Sequence, residues 1–107
     1  MKYELIGDFE LEQVYFNGRY YTPGFEIYKS KKGLLAWSNC KDGDAHINPL
    51  KGVTIDSSTE VDMARIIAER LKFELKTTDI SPESVLKENG DLVSRMFSNV
   101  KKHQTKR

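Results

Sequence analysis

The chain has 107 residues, of which 38% are apolar, 31% charged and 10% aromatic, and seventeen Lys and Arg oppose sixteen Asp and Glu. That size and mixture fit one compact domain and exclude a chain disordered throughout. The longest uninterrupted apolar run, Leu34-Leu35-Ala36-Trp37, is too short to span a membrane as a helix.

The opening Met1-Lys2-Tyr3-Glu4 does not read as a secretory leader. A single cysteine, Cys40, allows no internal disulfide, so a reducing cytoplasm is the expected setting. The near-neutral total hides an asymmetry. Up to residue 100 there are thirteen Lys and Arg against sixteen Asp and Glu, a balance of −3, whereas residues 101–107 add four positive charges and no acid. The division expected is a single α+β domain over 1–100 and a basic, mobile tail over 101–107. The tail reads either as a solubilising end with charge suited to a helix C-terminus or as an arm for phosphates or an acidic partner.

From Lys2 to Glu12 the chain alternates. Tyr3, Leu5, Phe9 and Leu11 share one parity and Lys2, Glu4, Asp8, Glu10 and Glu12 the other, with Ile6 as the exception; period two is the mark of a strand with one wet face. Gly7-Asp8 reads as a hairpin turn between two strands, the alternative being a bulge within one. A parity shift at Glu12-Gln13 then makes Val14 and Phe16 the inward pair. Asn17-Gly18, between Tyr15-Phe16 and Tyr20-Tyr21, is a strong hairpin signal, because both residues tolerate positive φ. Thr22-Pro23-Gly24 has the order of a type II turn. Phe25–Lys29 resumes alternation, Lys31-Lys32-Gly33 turns the chain again, and Leu34–Ser38 is a further strand with Leu35 and Trp37 on one face. Residues 39–51 read as a polar loop, followed by a short strand Val53–Ile55.

The pattern then becomes helical. Ser57 and Glu60 have capping-box spacing, and Val61, Ala64, Ala68, Leu71 and Leu75, with Ile67 beside them, form a stripe over 58–75. Glu60, Arg65, Glu69, Arg70 and Lys72 fall mostly on the opposite side, while Ile66 and Phe73 broaden the apolar surface, so that either both flanks pack on the sheet or one meets another helix or subunit. Ser81-Pro82-Glu83 starts a second, short helix ending near Asn89-Gly90. Asp91 can cap a third, with Leu92, Val93, Met96, Phe97 and Val100 on one face. The architecture expected is an antiparallel β-meander of four to six strands followed by one long and two short helices packed on one sheet face.

Nine of the eleven aromatics lie between Tyr3 and Trp37, more than a one-sided sheet can bury. Neighbours such as Tyr15 and Phe16, or Tyr20 and Tyr21, point to opposite faces of an extended segment. Such rings either stabilise the sheet by packing across strands or await a partner. The candidate partner-binding residues are therefore Tyr15, Arg19, Tyr20, Tyr21, Tyr28, Lys29, Lys31 and Lys32, on the sheet's outer face with the 39–51 loop as rim. Tyrosine suits protein interfaces, and rings interleaved with cations also suit unpaired bases.

Cys40, Asp42, Asp44 and His46 place a thiol, two carboxylates and an imidazole in one loop. They lack the remaining ligands of a calcium or zinc site and the orienting group of a nucleophile pair, so a polar Asp-Gly turn is the simpler reading. The acids Glu4, Asp8, Glu10 and Glu12 read as a solvated stripe. No phosphate-binding loop or serine-nucleophile elbow is present, and neither a cofactor nor a metal is expected. The leading expectation is a non-catalytic binding or regulatory protein of the inhibitor, immunity or adaptor type, including those that phages and mobile elements encode, with a protein partner. The alternative is a nucleic-acid-binding accessory protein using the same aromatics with Lys29, Lys31, Lys32 and the basic tail. A homodimer is compatible with either.

Overall fold

In a computed structural model residues 2–39 and 46–104 are described. The fold is α+β: strands β1 (Tyr3–Asp8), β2 (Val14–Phe16), β3 (Arg19–Tyr21), β4 (Phe25–Ser30), β5 (Leu34–Asn39) and β6 (Ile47–Thr54), then helices α1 (Glu60–Leu75), α2 (Pro82–Glu88) and α3 (Gly90–Lys101). Four strands form an antiparallel sheet in the order β1-β4-β5-β6, and β2-β3 is a separate hairpin. No helix of the described residues is long and apolar enough to cross a membrane.

The turns follow their chemistry. Asn17 and Gly18 both have positive φ, 52° and 82°, the pair a two-residue hairpin turn of matching twist requires. Gly24 follows Pro23 at φ 72°, as in a type II turn. Gly33, at φ 85°, closes the three-residue turn between β4 and β5 and donates its N–H to Ser30 O at 2.9 Å.

One core joins the inward side chains of the sheet (Phe25, Ile27, Leu35, Trp37, Leu50) to Met63, Ile66, Ile67 and Leu71 of α1, Val85 of α2 and Leu92, Val93, Met96 and Val100 of α3. Thr59 begins α1. It takes Asp62 N–H on its side chain while Asp62 returns to the Thr59 N–H, a capping box two residues beyond the Ser57–Glu60 expected. Ser81 caps α2 with Pro82 in the first turn, as expected. Asn89, rather than Asp91, stands at the start of α3.

Three sequence expectations are corrected. First, Tyr3–Asp8 is one strand with a bulge, not two strands joined at Gly7-Asp8. Leu5 faces Tyr28 and Gly7 faces Ile27, leaving Ile6 as the extra residue. The bulge turns Ile6 into the core and Leu5 outward, 47% exposed, so the parity read from the sequence reverses. Gly7 is small for a packing reason: a Cβ there would sit 2.8 Å from Cε2 of Phe9, whose ring stacks on Phe25 at 5.2 Å. Leu11, placed on the inward stripe, is 87% exposed in the turn after β1.

Second, β6 starts at Ile47 within the supposed 39–51 loop. Pro49 lies within this strand, and on an edge strand a proline costs no ladder bond where its nitrogen faces away. Gly52 takes φ 73° where the β5–β6 register is irregular, and Leu50 is fully buried.

Third, Arg70 belongs inside. Its side chain is 0% exposed, with Nε donating to Gly24 O at 2.8 Å and Nη2 to Pro23 O at 2.5 Å. Arg70→Leu leaves both turn carbonyls without donors where water is excluded. At about 1–3 kcal/mol for each unsatisfied group, the expected loss is about 3 kcal/mol, read as a lower urea midpoint at unchanged slope. A variant as stable as the parent chain would show that the carbonyls find other donors.

Candidate partner-binding surfaces

The eight candidate residues do not form one surface. Tyr15 and Tyr20 are cross-strand partners on the hairpin, rings 4.9 Å apart and tilted by 60°. Val14, Phe16 and Tyr21 take the other hairpin face and pack on the core, so Tyr21 is a core-side residue. Arg19 is paired with Phe16 at the exposed tip. Tyr28 stands on the outer face of the four-stranded sheet, where its hydroxyl donates to Glu26 Oε1 at 2.8 Å. Lys29 Nζ lies 3.9 Å from Glu4. Lys31 and Lys32 are exposed in the β4–β5 turn.

The contacts of α3 show how far apart these groups are. Asn89, immediately before the helix, holds Tyr15: its Oδ1 accepts from Tyr15 N–H at 2.7 Å and its Nδ2 donates to Tyr15 O at 2.9 Å. Its Nδ2 also reaches Val85 O at 3.2 Å. At the other end Lys101 Nζ donates to Ile55 O and Asp56 O at 2.9 and 3.2 Å, and Ile55 N–H donates to Gly33 O in the lysine turn. Eleven steps at 1.5 Å put about 16 Å of helix between the two ends. The hairpin tyrosines and the Lys31-Lys32 turn therefore occupy opposite ends of α3.

The hairpin end carries the most exposed tyrosine of the described residues, Tyr20 at 68%. An open groove of about 430 Å³ runs beside it, lined by Tyr15, Tyr20, Glu88, Asp91, Leu92 and Arg95. Arg95 also lines an adjoining cleft of about 380 Å³ with Phe9, Glu12, Ser98 and Lys102, so the two run on along α3. Between them Arg95 grips Glu12 with two hydrogen bonds, Nη1 to Oε1 at 2.6 Å and Nη2 to Oε2 at 3.0 Å. These bonds hold the Glu12 carboxyl below the usual carboxylate range. Partial burial opposes them and the Arg95 charge adds to them.

A third cleft, about 370 Å³, lies between the β5–β6 end and α1 and is lined by Trp37, Asn39, His46, Asn48, Lys72 and Phe73. Phe73 is 60% exposed, its ring 5.6 Å from the Arg70 guanidinium carbon. Among the described residues no group of three His, Cys, Asp or Glu is placed to hold a metal ion; Cys40, Asp42 and Asp44 lie outside them. Sequence reasoning missed Asn89 and Arg95, because an asparagine before a glycine and an arginine on an exposed helix face carry no signal of the distant segments they meet, β2 and the β1–β2 connection.

Comparison with protein-family models, with curated proteins and with solved structures returns no match for this chain. Its surfaces are therefore read from their own chemistry.

Two outcomes are expected. Asn89→Ala removes three hydrogen bonds from a buried side chain and lowers stability by about 2 kcal/mol, with the Tyr15 and Tyr20 ring resonances losing their chemical-shift dispersion. The Glu12–Arg95 pair stabilises the fold above the ordinary glutamate pKa of about 4.3, and that contribution vanishes as pH falls through the lowered native value. Glu12→Gln is therefore less stable than the parent chain at neutral pH, by about 0.5 kcal/mol for so exposed a pair. The two converge in acid, as chemical denaturation across the pH range would read.

Proposed function

We propose that this protein is a non-catalytic binding or regulatory protein that engages a protein partner through the Tyr15–Tyr20 end of the hairpin and the groove along α3. One observation carries this reading: Tyr20 keeps two thirds of its surface in water although its strand is firmly anchored. Val14 is fully buried, Tyr21 packs on the core and Asn89 fixes Tyr15. A large, rigid, amphipathic ring presented at low entropic cost is the kind of group that becomes an interface anchor. The groove beside it is mainly polar, with Glu88, Asp91 and Arg95 giving it charges of both signs and Leu92 buried beneath, so the Tyr20 ring is the apolar anchor and the groove its polar surround. Inhibitors, immunity factors and adaptors, including those of phages and mobile elements, work by such complementarity, and an intracellular setting suits the single thiol.

The nucleic-acid reading draws support from the other end of α3, where the Gly33–Ile55 and Lys101–Ile55 bonds bring Lys101 to the Lys31-Lys32 turn. The tyrosines meant to stack on bases lie elsewhere, so the protein partner is favoured.

Affinity capture from lysate with the parent chain and with Tyr15→Ala/Tyr20→Ala tests this. The double variant is expected to lose a partner that the parent retains, with unchanged circular dichroism. The same captured set from both would overturn the reading. Binding of a single- or double-stranded oligonucleotide that falls steeply with salt and survives the tyrosine changes would favour nucleic acid instead.

A further inference from the structure

The outer face of the four-stranded sheet is unusually apolar for a surface that none of the helices joins to the core. Cross-strand partners share a face, so the registers give its rows directly. The middle row is Leu5–Tyr28–Ala36–Pro49, one row on one side is Glu26–Ser38–Ile47 with Asp8 beside Glu26, and the row on the other side holds Tyr3, Ser30, Leu34 and Thr54. None of the apolar side chains in these rows belongs to the core cluster or packs against it, although Ala36, Ser38 and Ser30 are themselves buried. An antiparallel sheet with one face on a core and one in water normally alternates apolar with charged. Here the middle row is Leu, Tyr, Ala and Pro, and the rows beside it set Ile47 and Leu34 among Ser38, Ser30 and Thr54.

The charges sit at the ends, and with opposite sign. Lys31 and Lys32 of the β4–β5 turn, Lys2 before Tyr3 and Lys51 on β6 stand at one end, where Glu4 is matched by Lys29. Glu26 and Asp8 stand at the other, Glu26 holding the Tyr28 hydroxyl and Asp8 Oδ1 accepting the Glu10 N–H at 3.1 Å.

We infer that this face is a homodimer interface, its occupant a second copy of the chain stacked sheet on sheet. A two-fold axis lying along the Leu5–Tyr28–Ala36–Pro49 row turns the strand direction over. The lysine end of each copy then meets the carboxylate end of the other, and Leu5, Tyr28 and Pro49 of the middle row meet their counterparts, Ala36 being already sealed within each copy. That is the isologous, self-complementary arrangement a closed dimer needs. Two twisted sheets stack in this way about 10 Å apart. Four strands of about six residues present a face of roughly 20 by 20 Å, about 800 Å² buried over both copies, which is below the range of stable specific pairs and in that of weak, transient ones, so a reversible, concentration-dependent dimer follows. The interface is separate from the Tyr15–Tyr20 surface, and the two proposals stand or fall apart.

Sedimentation equilibrium of the full chain at increasing concentration and two salt levels tests it. The expected result is twice the monomer mass at concentrations up to about 100 μM, dissociating on dilution and weakened by salt. Leu5→Glu puts an unpaired carboxylate into the middle row at a position already half exposed in the monomer. It is expected to raise the dissociation constant about tenfold or more with unchanged circular dichroism, whereas Tyr20→Ala leaves it unchanged. Glu26→Lys weakens the dimer, and adding Lys31→Glu/Lys32→Glu to it restores association. A monomer at every concentration, or a dimer indifferent to Leu5→Glu, would overturn the interface; failure of the charge reversal to restore association would overturn the two-fold arrangement.

Discussion

The guanidinium of Arg70 is the contact on which the placement of the other parts depends. The chain leaves the hairpin at Tyr21, turns through Thr22-Pro23-Gly24 and enters β4 at Phe25, and the turn carbonyls point into the protein. Buried carbonyls must be matched by donors, and no strand is available to supply them there. Arg70 reaches both with Nε and Nη2, a task suited to a planar group with several fixed donors and closed to a lysine. Its Nη1 makes no hydrogen bond and lies 3.6 Å from Glu74, one turn further along α1. The long helix is thereby tied to the corner where hairpin and sheet diverge.

Asn89 does the corresponding work on the far side of the hairpin. It ends α2 and precedes α3, two positions at which an asparagine side chain ordinarily serves the helix. Its amide does reach Val85 O of α2, but it also matches the N–H and C=O of Tyr15 as a neighbouring strand would. A three-residue strand pair has little stability of its own. Held by Asn89 on one side and by the Arg70-bound turn on the other, the hairpin becomes a fixed platform, and its outward tyrosines remain in water without loosening it.

The same division of labour shapes the sheet. All three helices contribute to the core on one face, so the other is free to be something else. The Ile6 bulge is what admits both: it sends Ile6 inward and Leu5 outward, giving each face of β1 an apolar residue. The charges that would otherwise mark the wet face are displaced to the ends of the strands.

Much of this was legible in the residue order. The Asn17-Gly18 hairpin, the Pro23-Gly24 and Gly33 turns, the inward Leu35 and Trp37, the Ser81-Pro82 helix start and the apolar stripe of α3 follow from backbone sterics and short-range periodicity, which act within a few residues; on α1 Ala64, Ala68 and Leu71 are inward as read, but Val61 is 43% exposed and Met63 and Ile66 are buried instead. So did the excess of rings in the opening third, part of which remains in water. Three features depended on contacts between segments far apart in sequence. An Arg becomes a core residue only because two carbonyls forty-six and forty-seven positions away face it. A stretch with Pro49 and Gly52 becomes a strand because an edge tolerates it beside β5. Tyr15 and Tyr28 part company because the hairpin forms its own sheet. Local sequence determined what each segment could become; which buried groups needed partners, and hence which surfaces were left over, was decided when the segments met.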